Sequence, residues 1–155
     1  MAERIGDHED IREDDGGPTG GRYRVEVPGI PKEDTAQVSV QGKNIPMKQA
    51  TVELADVTYL DYPAEAVAGL TPQQALANTR DGSAKGHRLV SDRTLTVSGF
   101  AAREYVVEQK GNVILVIRST FTGVRLYQAI VVTEGGGVNR PLTRRFIDSF
   151  NLVTP

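Results

Sequence analysis

Only a handful of residues in this chain could do chemistry, and what is missing narrows the field first. The 155 residues include no cysteine. That removes a thiol nucleophile, a disulfide framework, a cysteine zinc site and an iron–sulfur cluster together. The two histidines are His8, in an acidic leader, and His87, beside the stretch Asp81–Gly86. A metal site would therefore be built from carboxylates alone, and the acids between Asp7 and Asp15 lack the glycine and terminal glutamate of a calcium loop. General acid–base work could use Glu104, Glu108 or Asp92, acids on the predicted strands of the second half, but spacing alone does not place two of them in one cleft. Gly135-Gly136-Gly137 sits between a strand and a helix, where phosphate-binding loops also sit. No Lys-Ser/Thr pair follows it, and its strand belongs to no βαβ unit. No catalytic residue, metal or cofactor is assigned.

The remaining candidates are arginines and tyrosines, the types enriched at protein interfaces. Arg103, Arg118, Arg125 and Tyr127 fall on predicted strands, and Arg144 and Arg145 on the last predicted helix. These six are the candidate partner-binding residues. Arg144 and Arg145 lie off the Leu142/Phe146/Phe150 stripe and are expected to be exposed. The alternative for the set is ordinary packing, with tyrosines filling a sheet and arginines solvating it.

The elements that must position them are read from periodicity. Tyr23, Val25 and Val27 alternate with charged residues, as in a half-buried strand. Further strands are expected at Gln37–Val40, Lys48–Leu54 and Val57–Tyr62, with a short break at Ala55-Asp56. Thr71-Pro72-Gln73-Gln74 is a capping box with proline at the first helical position. It opens a helix to about Thr79, with an irregular turn or short helix before it at Pro63–Gly69 and a mobile loop after it at Asp81–Gly86. Arg88–Val97, Arg103–Gln109, Val113–Thr120 and Val124–Thr133 are joined by short loops and so form an antiparallel meander. Val113–Ile117 is apolar on both faces, which places its strand inside the sheet with a layer on each side. Asn139 is expected to cap a final helix with Pro141 in its first turn, and its Leu142, Phe146, Ile147 and Phe150 form one apolar stripe. The fold class is α+β, a mostly antiparallel sheet covered by a middle and a C-terminal helix.

The charge is uneven. Seven acids against Arg4 and Arg12 give residues 1–20 a net −5, and the whole chain carries −2, so the body carries +3. Residues 1–21 are expected to be a disordered acidic tail, with residues 22–155 as a single domain of ordinary size. A body so mildly basic, without clustered lysine and arginine, makes nucleic acid an unlikely partner. No apolar run approaches the ~20 residues of a spanning helix. Met1–Gly20 has no signal-peptide core, which fits either a cytoplasmic protein or an exported one that has lost its signal. A monomer or weak homodimer is expected.

Certain short motifs accompany this order of elements: Gly21-Arg22-Tyr23-Arg24-Val25 with Pro28 and Pro31, and Gly99-Phe100-Ala101-Ala102-Arg103-Glu104. Arg118, Val124-Arg125-Leu126-Tyr127-Gln128, Arg145–Phe150 and Leu152 complete them. Together they resemble the PsbP-like superfamily. That superfamily is an α/β/α sandwich that includes the extrinsic photosystem II protein PsbP, a Ran-binding nuclear import factor and many bacterial domains of unknown role. The uncharacterised bacterial members are the most similar. The resemblance implies a non-catalytic accessory or protein-interaction domain. Nothing here matches the photosystem protein's metal-binding residues or a Ran-contact surface, so neither activity is carried over. A small-ligand or lipid carrier, with a pocket between the sheet and the Pro72 helix, is the alternative, and a hydrolase-type enzyme the third.

Overall fold

Side-chain alternation along the meander sorts the central sheet into two covered faces. On Phe100–Gln109, Ala102 and Val106 point into one core, while Tyr105 and Val107 point into another. The computed structural model describes residues 10–14 (main chain only), 21–27, 29 and 31–153. Its strands are β1 (Asp10–Asp14), β2 (Tyr23–Val27), β3 (Lys32–Val40), β4 (Lys43–Val52), β5 (Ala55–Asp61), β6 (Arg88–Val97), β7 (Phe100–Gln109), β8 (Val113–Phe121), β9 (Arg125–Glu134) and β10 (Asn151–Leu152). The helices are α1 (Ala64–Val67), α2 (Pro72–Ala84) and α3 (Pro141–Ser149). Seven strands form one antiparallel sheet in the order β3-β4-β5-β9-β8-β7-β6, and β1-β2-β10 form a small second sheet.

The fold is thus mixed α and β, mostly antiparallel, with the expected meander β6-β7-β8-β9 running in sequence order. β8 lies between β7 and β9 with both faces covered. On one face, β2 and α3 close a core containing Val25, Val57, Val106, Val116, Phe146 and Phe150. On the other face α2 packs Ala75 and Leu76 against Phe121 and Leu126, and a neighbouring cluster joins Tyr105, Val107 and Ile117. Full burial of each large apolar side chain contributes ~1.5–3 kcal/mol, so both helices hold the sheet. No helix among the described residues is long and apolar enough to cross a membrane.

Several expectations are corrected. Within the leader, the main chain of β1 pairs with β2 from Asp10↔Val27 to Asp14↔Tyr23. Main-chain bonding at the edge of β2 forms this strand, and main-chain bonding does not register in hydropathy. Residues 1–9 and 15–20 lie outside the described residues. At Gly21 a side chain would force a shift, since a Cβ there would stand 2.6 Å from the Tyr23 ring.

The β3–β4 hairpin is longer than expected because Gln41 and Gly42, both at positive φ (50° and 80°), make a tight turn and both strands zip away from it. Most of its residues are exposed, so hydrophobic alternation underreports it. Pro46 fits within β4 because pairing with β5 starts only at Met47↔Leu60. The break after β4 is Glu53-Leu54, whereas Ala55 and Asp56 are already paired.

Asp81–Ala84, expected to be a loop, continues α2. Tertiary contacts override the poor helical propensity of Gly82: Arg80 bonds Asp92, and Ala84 packs on the Tyr105 cluster. The cap of α3 is Arg140 rather than Asn139. Pro141 drives its predecessor into extended backbone, and Arg140 sits at φ −61°, ψ 140°.

Candidate functional site

The predicted arginines occupy separate places. Glu104 on β7 stands opposite Arg118 on β8. Its Oε1 accepts from Arg118 Nε at 3.0 Å and Nη2 at 2.5 Å, and its Oε2 accepts from Arg144 Nη1 at 2.9 Å. Arg118 and Arg144 also both donate to Asp148 Oδ1 at 2.8 Å, which ties α3 to the sheet. The Arg118 and Glu104 side chains are each 8% exposed. Burial pushes the Glu104 carboxyl up, but hydrogen bonds and charge from Arg144 and Arg118 outweigh it and hold the group below the usual glutamate range. Glu104 and Asp148 do converge, but both are held by the same two guanidiniums. A carboxylate kept ionised in this way is a poor proton acceptor.

Arg103 points to the opposite face. Asp92 Oδ2 accepts from Arg80 Nη1 at 2.5 Å and Arg103 Nη1 at 2.8 Å, and Arg103 Nη2 donates to Gln73 Oε1 on α2 at 3.0 Å. The Tyr105 hydroxyl beside this cluster is pushed up by burial, against hydrogen bonds with Ser119 and Ser83.

Arg125 and Tyr127 lie where β5 meets β9. Arg125 holds Asp61 in a two-pronged bond of 2.7 and 2.9 Å and stacks over the Tyr59 ring at 4.6 Å. The Tyr127 hydroxyl donates to the Gly21 carbonyl at 2.5 Å. Arg145 is exposed, as expected, and bonds Glu26 of β2 at 2.6 Å. Arg144 is only half-exposed, because α3 turns it down onto Glu104. Of the six candidates, then, the structure brings Arg118 and Arg144 together, pairs Arg125 with Tyr127, and leaves Arg103 and Arg145 apart. Most of the set braces the interior.

The surface feature that sequence reasoning missed is a groove of about 320 Å³ between the β4–β5 turn, the end of β9 and the start of α3. Val52, Leu54, Ala55, Val131, Leu142 and Phe146 supply its apolar lining. Leu54, at 63% exposure, is the most exposed large apolar side chain among the described residues. The turn is fixed to β9, since Val132 N donates to the Leu54 carbonyl at 2.9 Å, and the Leu54 side chain stands exposed. Its one sequence signal is an apolar residue next to the break between two strands. Among the described residues, no three histidines, aspartates or glutamates gather into a metal-binding group.

No family model and no curated protein matches the chain. Among solved structures it is similar to PA94, a protein of unknown function from Pseudomonas aeruginosa, with TM-score 0.42 and 11% identity over 74% of this chain and 79% of that one.

Proposed function

We propose that this protein is a non-catalytic interaction domain whose contact surface is the groove between the β4–β5 turn and α3, and that its partner is an apolar segment of another protein. One observation carries this reading: Leu54 stands out from a pinned turn at the rim of an apolar groove. Exposed apolar surface framed by polar residues is what interaction sites present, and here the frame is Glu53 and Arg140. The PsbP-like assignment belongs to the same proposal, supported by helices on both faces of a mostly antiparallel sheet. The carrier reading loses ground because the space it required is filled: between the sheet and α2, Leu76, Phe121 and Leu126 pack together with exposures of 5% or less. The enzyme reading loses ground because the converging carboxylates are neutralised by arginines.

A photo-crosslinking residue placed at position 54 tests this in the native cell, with one at exposed Val124 as the control. A discrete protein adduct formed at 54 and not at 124 is the expected result. Equal, diffuse labelling at both positions would sink the reading.

A further inference from the structure

The polar side of the groove specifies its occupant more closely than the apolar side does. Arg80, Arg88, Arg93, Arg103, Arg118, Arg125, Arg144 and Arg145 each pair with a carboxylate of the fold. Arg140, which lines the groove, makes no ion pair or side-chain hydrogen bond among the described residues. Beside it, α3 begins with no side chain capping its first turn, so the N–H groups of Leu142 and Thr143 present the positive end of the helix there. Thr143 lies on the inward side of α3, one turn before Phe146, and is only 4% exposed. Its hydroxyl has no hydrogen-bond partner among the described residues. It is also absent from the fully occluded unpaired atoms, which are Asp92 Oδ1, Arg103 Nε and Thr120 Oγ1. Thr143 itself lines the groove, the side from which a ligand would reach its hydroxyl.

A buried hydroxyl, an unpaired guanidinium and an uncapped helix start, set beside an apolar floor, fit one kind of group: a carboxylate attached to an apolar side chain. We propose that the groove takes the free C-terminus of a partner polypeptide ending in an aliphatic residue, an assignment that rests on the groove being the contact surface. The terminal carboxylate would meet Arg140, the Thr143 hydroxyl and the α3 N–H groups, and the last side chain would lie against Leu54, Val131 and Leu142. Glu53, on the opposing turn, repels a carboxylate and so orients it toward α3. The site is an open groove rather than an enclosed pocket, and small free ligands are held in pockets that bury most of their surface. A polypeptide supplies its own cover.

The test is a titration of the ¹⁵N-labelled full chain with acetyl-Gly-Ser-Gly-Val-Leu carrying a free carboxylate, with its C-terminal amide, and with sodium octanoate. The free acid should shift the amides of Leu54, Leu142 and Thr143 and bind about tenfold or more tightly than the amide, as charge-assisted bonds require. Arg140→Gln and Thr143→Val should each bring the acid's affinity toward that of the amide, while Thr143→Ser should keep it. The amide spectrum of each variant reports that it is folded. If acid and amide shift the same residues equally, the carboxylate assignment is overturned and the apolar contact surface stands. Octanoate binding as tightly as the acid would overturn the polypeptide assignment in favour of small carboxylates. No shift with any probe overturns the inference, leaving the groove itself to the crosslinking result.

Discussion

The two faces of the meander carry two arginine–carboxylate clusters that do the same mechanical work with unequal completeness. Under α3, Glu104 gathers Arg118 and Arg144, with Arg93 at 3.3 Å, and Asp148 shares the two inner guanidiniums. Under α2, Asp92 gathers Arg80 and Arg103, and Gln73 completes the link to the helix. Each cluster docks a helix onto the same strands. The first leaves none of its buried side-chain atoms unpaired, whereas the second leaves Asp92 Oδ1 and Arg103 Nε buried with no partner. A fully bonded buried network is costly to interrupt, because removing one member strands the charges that faced it. A half-bonded one has less to lose.

The largest effect should follow from breaking the complete cluster at its centre. Glu104→Ala leaves buried Arg118 facing only Asp148, and should cost about 3–5 kcal/mol in urea unfolding. Replacing both partners, Glu104→Leu with Arg118→Met, should recover most of that loss, because paired charges in an interior are exchanged for apolar contacts at little net cost. A double variant as unstable as the single one would mean that the cluster specifies packing beyond its charge balance. Asp92→Asn should cost less, about 1–3 kcal/mol, since the amide oxygen keeps one acceptor for Arg80 or Arg103. If the two single variants prove equally damaging, the unpaired atoms under α2 are not a sign of weaker bonding.

The smallest effect is one of pH. The Glu104 carboxyl titrates lower in the folded protein than in the unfolded chain. Its contribution is therefore fully present above the ordinary glutamate range, near pH 4.5, and is lost as pH falls through the folded value. The stability gap between the parent and Glu104→Gln should be widest near pH 6 and should close on acidification below about 4. A gap that is constant with pH would show that Glu104 acts through shape rather than charge.

How much of this was legible in the sequence differs between fold and site. The meander could be read because its strands follow one another through short turns that carry glycine, and because one of them, at Val113–Ile117, is apolar on both faces. The end of α2 could not, since contacts from Arg80 and Ala84 carry the helix through Gly82. Likewise the β3–β4 hairpin shows too little apolar alternation to reveal its length. Among the candidate residues, chemical type suggested an exposed interface, whereas strand register buried it. That register was in reach: Glu104 and Arg118 both stand seven residues from Gly111, so a turn centred there sets them opposite each other. The groove was less accessible, because it joins three segments that are distant along the chain. Nothing local marks Leu54 or Thr143 as neighbours of one hollow.

The meeting of β5 with β9 has a consequence for how the molecule assembles. β3, β4 and β5 follow one another through tight turns, as do β6 through β9, so each half of the sheet forms from contacts that are close in sequence. The two halves join where β5 pairs with β9, from Asp61↔Arg125 to Ala55↔Val131, and even the nearest of these partners in sequence, Asp61 and Arg125, are 64 residues apart. Closing a loop of that length is an entropic cost met before any reward, and such distant pairings are the ones that slow folding. The two-pronged Asp61–Arg125 bond and the tilted rings of Tyr59 and Tyr127, with centroids 5.8 Å apart, sit at this seam. These directional contacts thus fall where the chain has the longest search to make, at the join that turns two hairpin stacks into one continuous sheet.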